Sequence, residues 1–268
     1  MRGAADRESD VDGYGPSTYG DRFADVYDDW YADVSDVDAT VARVAALAGP
    51  GGRVLELGAG SGRLAVPLAG RGLDVWAVDA SSAMLDRLRA RPGADRVHVV
   101  LDDMARLDDP ALASAAGGFG VVLCAFNTLF NLPDSDAQRR CLARAVDLMV
   151  PEGLLVIEAF VPPAGGESDA AVAAVEPRHI GLDEVVLTVS RLDPATHTIT
   201  GQHVQITERG VRLRPWVLHY ATPGELDDLA AAVGLRVVER YAGWHEEPFG
   251  PASDVHVSVY GRTAPAGR

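Results

Sequence analysis

The chain has 268 residues, 47% of them apolar, which suits one large α/β domain with an insertion or two small folded domains. Its 39 acidic residues against 24 basic ones, all of them arginine, leave a net charge of -15, which repels phosphate backbones and anionic membranes and makes nucleic acid a poor partner. Two cysteines, Cys124 and Cys141, are too few for a disulfide framework. With no signal-peptide pattern and no apolar run near the roughly 18 residues of a membrane helix, a cytoplasmic protein is expected.

Residues 1–18 are polar and acidic and read as a disordered tail. From Tyr19 to Ala48, Phe23, Val26, Tyr27, Trp30 and Tyr31, then Val37, Val41, Val44 and Leu47, recur at helical spacing, so 19–50 reads as a helical cap ended by Gly49-Pro-Gly-Gly52. Strands follow at Arg53 to Leu57, Asp74 to Val78, Val97 to Leu101, Val121 to Phe126 and Leu154 to Phe160. Helices at Leu64 to Gly70, Ala83 to Ala90 and Asp134 to Met149 alternate with them. That alternation predicts an α/β fold, a doubly wound, Rossmann-like, mostly parallel sheet of seven strands with helices on both faces, whose core begins at 51–162. After Pro162 and Pro163 the rhythm changes. Val185 to Leu192, His197 to Thr207 and Val211 to Tyr220 predict an antiparallel three-stranded lid within an insertion at 163–221. The core resumes at 222–263 with a helix capped by Thr222, with Glu225 at the capping-box position, and two last strands, Leu235 to Tyr241 and Val255 to Tyr260.

Ligands of such sheets lie outside the carboxyl ends of the strands. The first strand runs into Glu56-Leu-Gly58-Ala-Gly60-Ser-Gly62, with Arg63 where a dinucleotide fingerprint needs its third glycine. A carboxylate two residues before the first glycine is unwelcome to a phosphate and suits a ligand bearing an ammonium and a sulfonium. The second strand ends at Asp79, 21 residues after Gly58, where an acid accepts both hydroxyls of a ribose. The third ends in Asp102-Asp103-Met104 and the fourth in Ala125-Phe126-Asn127-Thr128, at the mouth of the crevice.

Together these motifs resemble the class I S-adenosylmethionine-dependent methyltransferases, over most of the chain from about Tyr19 to Gly261. The resemblance implies S-adenosylmethionine as cofactor, leaving as S-adenosylhomocysteine. It implies that Glu56 and the turn Gly58-Ala59-Gly60 hold the methionine portion, Asp79 the ribose, Ala80 and Met84 the adenine faces, Asp103 and Met104 the adenine edge, and Ala125 the amino group. The aromatic helix ending Tyr27-Asp28-Asp29-Trp30-Tyr31 and the antiparallel lid are similar to small-molecule methyltransferases of natural-product pathways, including those that methylate amino sugars. Carried over, that likeness puts Tyr31 beside the sulfonium and substrate, a sensible place for a ring near a cation, and Tyr19 and Arg22 at the cofactor carboxylate. Tyr27 and Trp30 read equally as a core stripe.

Methyl transfer from a sulfonium has an excellent leaving group, so alignment and desolvation supply most of the acceleration, and a base is needed only for a protonated or hydroxyl acceptor. His219, Glu158 and His245 are the candidate bases, with His219 equally readable as a packed lid residue and Glu158 as an arginine partner. Asn127, Phe130, Glu158, Trp216 and His219 are the expected acceptor contacts. No metal is expected, because His245-Glu246-Glu247 are adjacent residues that rarely converge on one ion. The expectation is therefore transfer to a nitrogen, or secondarily an oxygen, of a small molecule in secondary metabolism, with the lid edge pairing in a homodimer. The alternatives are a binding protein for the same cofactor without transfer activity and, opposed by Glu56 and Arg63, a nicotinamide dehydrogenase.

Overall fold

The computed structural model describes residues 11–32, 34–162 and 171–263. Three helices precede the first strand: α1 (Thr18–Phe23), α2 (Tyr27–Trp30) and α3 (Val37–Ala48), the last started by the Asp36 carboxylate, which accepts from the Ala39 N–H. There follow β1 (Arg53–Leu57), α4 (Ala65–Gly70), β2 (Asp74–Asp79), α5 (Ser82–Ala90), β3 (Val97–Leu101), α6 (Pro110–Ala115), β4 (Phe119–Cys124), α7 (Ser135–Leu148) and β5 (Met149–Phe160). After the lid come α8 (Pro223–Ala232), β10 (Leu235–Tyr241) and β11 (Val255–Arg262).

Seven strands pair in the order β10-β11-β5-β4-β1-β2-β3. The pairings are parallel except those of β11, which runs antiparallel to both β5 and β10. Buried on both faces, β1 shows why its sequence is a continuous apolar run. Leu55 and Leu57 pack with Leu142 of α7 and Leu226 of α8, while Val54 packs with Val41 and Val44 of α3 and Leu68 of α4. The seven-stranded sheet and its flanking helices match the sequence reading. The short α6, in a stretch without apolar periodicity, escapes it.

The lid has four strands rather than three: β6 (Val172–Ile180), β7 (Glu184–Asp193), β8 (Thr198–Thr207) and β9 (Gly210–His219), antiparallel and in chain order. The missed strand, β6, lies at an edge, carries Pro177 and is exposed along nearly its whole length, so no inside-outside alternation marks it. Residues 163–170 of the insertion lie outside the described residues, as do 1–10 of the expected tail. Within that tail Tyr14 is tied to the lid, its hydroxyl accepting from the Val217 N–H at 3.4 Å.

The cap is clamped onto the lid. Arg214 on β9, only 1% exposed, donates from Nη1 and Nη2 to Asp25 at 2.6 and 3.0 Å and also to the Arg22 carbonyl, and Arg178 on β6 donates to the Trp30 carbonyl at 2.9 Å. These hydrogen bonds hold the Asp25 carboxyl below its ordinary range. Gly201 on β8 completes the lid's inner face, because a Cβ there would lie 2.2 Å from the Trp216 ring.

Helix α8 begins with the capping box its spacing predicts, the Glu225 N–H donating to Thr222 Oγ1 at 3.2 Å and the Thr222 N–H to Glu225 Oε2 at 2.7 Å. Thr222→Ala is expected to lower unfolding free energy by about 1 kcal/mol with an unchanged slope against urea, measured by equilibrium denaturation.

Candidate functional site

The order of the main sheet reverses between β1 and β4, so the loops leaving these strands diverge and open a crevice at their carboxyl ends. Its floor is the glycine turn. Gly58 has φ +64, and a Cβ there would lie 2.2 Å from a methyl carbon of Thr128. At Gly60, with φ +55, the nearest atom to a Cβ is in the Tyr27 ring at 3.9 Å, so bare backbone faces the space between turn and cap. Asp79, at the end of β2, joins the two loops: Oδ2 accepts from the Gly60 N–H and Oδ1 from the Ser81 N–H, each at 2.8 Å. Burial raises its pKa, and those backbone bonds only partly offset the rise.

Glu56, 4% exposed, lines the cavity over this turn, and its Oε2 is buried without a hydrogen-bond partner. Desolvation pushes its pKa up to about 8, helped by Asp79 and opposed by Arg63. Arg63 lines the same cavity, with its guanidinium 5.5 Å over the Phe126 ring and a hydrogen bond to Ser35 Oγ. A buried acid with one oxygen lacking a donor, and an arginine within the same cavity, fit a ligand that presents both an ammonium and a carboxylate.

The cap supplies the roof. Tyr27 lines the Glu56 cavity, its ring is 4.9 Å from that of Tyr31, and Tyr31 lies edge-on to Phe126 at 6.0 Å. Tyr31 is 9% exposed and carries the Arg178 guanidinium at 4.9 Å. Tyr19 stacks on Phe23 at 4.4 Å and is held by Tyr31, and burial raises its pKa well above that of a free phenol. Burial likewise lifts Tyr27 to about 12, so both phenols stay neutral at physiological pH. Trp216 packs against this cluster from the lid, 6.1 Å from the ring of His203, whose pKa burial lowers to about 4.

Of the other expected cofactor contacts, Ala59 and Ala125 line the cavity and Ala80 is half-buried beside Asp79. Met84, 2% exposed, is packed beneath Phe23 and Tyr31, while Met104 lies partly against the main core. Asp103 turns one oxygen onto the Ala105 N–H at 2.9 Å. Arg22 is exposed on α1, away from the lining of the cavity.

Several expected acceptor contacts lie elsewhere. His219 belongs to a separate cleft with Gln138, His197 and Glu225, because strand alternation on β9 sends Arg214 and Trp216 to the cap and His219 to the other face. Phe130 is fully buried in the core against Phe160. Asn127 Oδ1 accepts from the Phe160 N–H at 2.6 Å. Glu158 meets neither substrate space nor an arginine: its oxygens accept from the Phe126 N–H and the Trp244 indole, each at 2.8 Å. These bonds hold Phe126 and Asn127 at φ 50 and 62, a left-handed pair that swings the Phe126 ring toward the cavity. His245, Glu246 and Glu247 disperse to Asp36, Arg43 and the His245 N–H, and no group of three metal-ligating side chains gathers among the described residues.

In the sequence Arg63 counts only against a dinucleotide, and Phe126 and Thr128 stand at the end of the fourth strand, at the mouth of the crevice, with no contact assigned to either. The carboxylate of Glu56 was the signal that could have found Arg63, since an ammonium ligand with a carboxylate needs a cation nearby. Among the described residues no helix is long and apolar enough to cross a membrane.

A methyltransferase-domain family profile matches residues 54–153, from β1 into β5. The chain is 39% identical to the CcbJ methyltransferase from Streptomyces caelestis, with a TM-score of 0.82 over 94% of this chain and 100% of that one. The sugar N-methyltransferase KedS8 from a Streptoalloteichus species shares the fold, with a TM-score of 0.62 over 98% of this chain and 99% of that one at 19% identity. Human glycine N-methyltransferase is 32% identical over 117 residues, 40% of either chain. The chain spans less than half the length of the curated relatives it matches. With a full-length relative at this identity, a matching profile and a crevice suited to a zwitterionic ligand, the chain belongs to the S-adenosylmethionine-dependent methyltransferases.

Proposed function

We propose that this protein is a cytoplasmic enzyme of secondary metabolism that transfers a methyl group to a nitrogen of a small molecule. The observation that carries the reading is the placement of Glu56 and Arg63 in one cavity with Gly58 and Ala59 of the glycine turn. Glu56 accepts from the ammonium of the donor and Arg63 pairs with its carboxylate, a role given to Arg63 in place of the exposed Arg22. Asp79 keeps free lone pairs for the ribose hydroxyls, and Asp103, Met104 and Ala80 lie along the path of the adenine. When bound, S-adenosylmethionine supplies an electrophilic methyl on a sulfonium. Tyr31, Phe126 and Trp216 enclose the acceptor side, exclude water and align the nucleophile.

A nitrogen acceptor is favoured by what surrounds the roof. His203 is pushed down to about 4 and His219 faces another cleft, so neither histidine is placed to activate a hydroxyl, whereas a neutral amine needs no base to attack. The names of KedS8 and glycine N-methyltransferase also carry nitrogen. Two buried free cysteines suit a reducing compartment, and the exposed edge strand β6 suits pairing of two copies.

Three outcomes test the reading. Because burial raises Glu56 to about 8, its contribution to stability is present below the ordinary carboxylate pKa and is lost as pH rises through 8. At pH 7 the free protein therefore holds that proton, and an ammonium ligand expels it. Titration calorimetry with S-adenosylhomocysteine in buffers of differing ionisation enthalpy is expected to show release of about one proton per ligand, abolished in Glu56→Gln. Asp79→Ala is expected to weaken S-adenosylmethionine binding by about tenfold or more, while Tyr31→Phe keeps affinity within about threefold and lowers turnover about tenfold. A mass-spectrometric screen of amines and alcohols with labelled donor is expected to find an amine product. Tight retention of S-adenosylhomocysteine with transfer to neither class would favour a binding protein instead.

A further inference from the structure

Two hydroxyls connect the donor loops to the cap. Ser61, between Gly60 and Gly62 in the turn and fully buried, donates to Asp28 Oδ1 at 2.6 Å, and Arg91 closes the group by donating to Asp28 Oδ1 at 2.5 Å and to the Ser61 carbonyl at 2.6 Å. Ser81, in the loop after β2 and also fully buried, donates to Asp21 Oδ1 at 2.6 Å. At that point α1 presses so closely on the loop that a Cβ on Gly20 would lie 2.4 Å from the Ser81 Cβ. Ser61 follows Gly60 in the chain, and Ser81 itself supplies the second of the two N–H groups that Asp79 holds. One continuous set of hydrogen bonds therefore runs from the Asp79 carboxylate outward, through each loop, to each short helix of the cap.

We propose that Asp21 and Asp28 are positioning residues: through Ser81 and Ser61 they register the cap, and with it Tyr27 and Tyr31, on the loops that hold the donor. The proposal rests on the donor reading above and adds a consequence to it. A ligand that fixes Asp79 and the glycine turn also fixes the roof, so the acceptor space is complete only over an occupied donor site. Helices of six and four residues have too few internal hydrogen bonds to hold a position alone, which is why external pins decide where they sit. Asp25, between the two pins in sequence, faces Arg214 of the lid instead, so each of these three cap aspartates has its own anchor.

The test is amide hydrogen exchange of the full chain, read at Ala24, Val26, Trp30 and Tyr31, whose N–H groups bond within the cap. With S-adenosylhomocysteine at saturation, the unaltered protein is expected to slow exchange at these amides about tenfold or more relative to the free protein. In the Asp21→Ala/Asp28→Ala double variant, which removes the acceptors of Ser81, Ser61 and Arg91, the slowing at saturation is expected to fall below about threefold while exchange in β1 and β4 is unchanged, which shows that the core is folded. Gly20→Ala, whose Cβ would lie 2.4 Å from the Ser81 Cβ and 2.8 Å from its Oγ and so would push α1 off Ser81, is expected to lose part of the protection. Asp21→Asn keeps an acceptor oxygen and is expected to retain more of it than Asp21→Ala. Equal protection in the saturated double variant and the unaltered protein would overturn the proposal while leaving the donor reading intact. Failure of S-adenosylhomocysteine to bind the unaltered protein would instead remove the donor reading and the proposal with it.

Discussion

The Asp79 carboxylate is the constraint on which the rest of the site depends. It stands at the end of a strand whose neighbours are fixed by parallel pairing, and both of its oxygens are engaged by backbone N–H groups of two different loops. A buried carboxylate is costly unless hydrogen bonds offset its desolvation, and the turn at Gly60 and the helix start at Ser81 provide them. Shape and charge thus arise together. The loops adopt their conformation around the acid, and the acid keeps capacity to accept further donors.

Around that centre the molecule separates its tasks by rigidity. The donor side is built on strands buried on both faces, with Glu56 at the end of β1 and Ala125 just past β4. The roof is built from short helices and a lid whose outer strand is almost wholly exposed. What joins the two is a small number of polar contacts, on Asp21 and Asp28 of the cap, together with one ring cluster around Phe23. A fold of this kind can keep one chemistry while the enclosing parts vary.

The donor half was legible in the chain because its signals are local and strict. An apolar run followed by glycines, and an acid at the end of the next strand, fix positions relative to one sheet, and Glu56, Gly58, Gly60 and Asp79 fell where the spacing put them. The contacts of the roof and of the loop after β4 were not legible, because they depend on long-range geometry. Nothing near Glu158 in sequence announces that the Phe126 N–H and the Trp244 indole will occupy its oxygens. His219 was assigned by its position along a strand, whereas which face of β9 meets the cap is decided by Arg214 reaching Asp25, 189 residues away in sequence. Strand β6 was hidden for a related reason, since an exposed edge lacks the periodicity that burial imposes.

Gly201 and Trp216 sit opposite each other on neighbouring lid strands, and the indole fills the volume that any side chain at 201 would need. The two positions are therefore linked in size: an alanine or larger residue at 201 obliges a smaller partner at 216, and the wall of the roof recedes by the width of a ring. A compensated exchange at this pair would enlarge the chamber from one face of the lid and leave the glycine turn and its acid untouched.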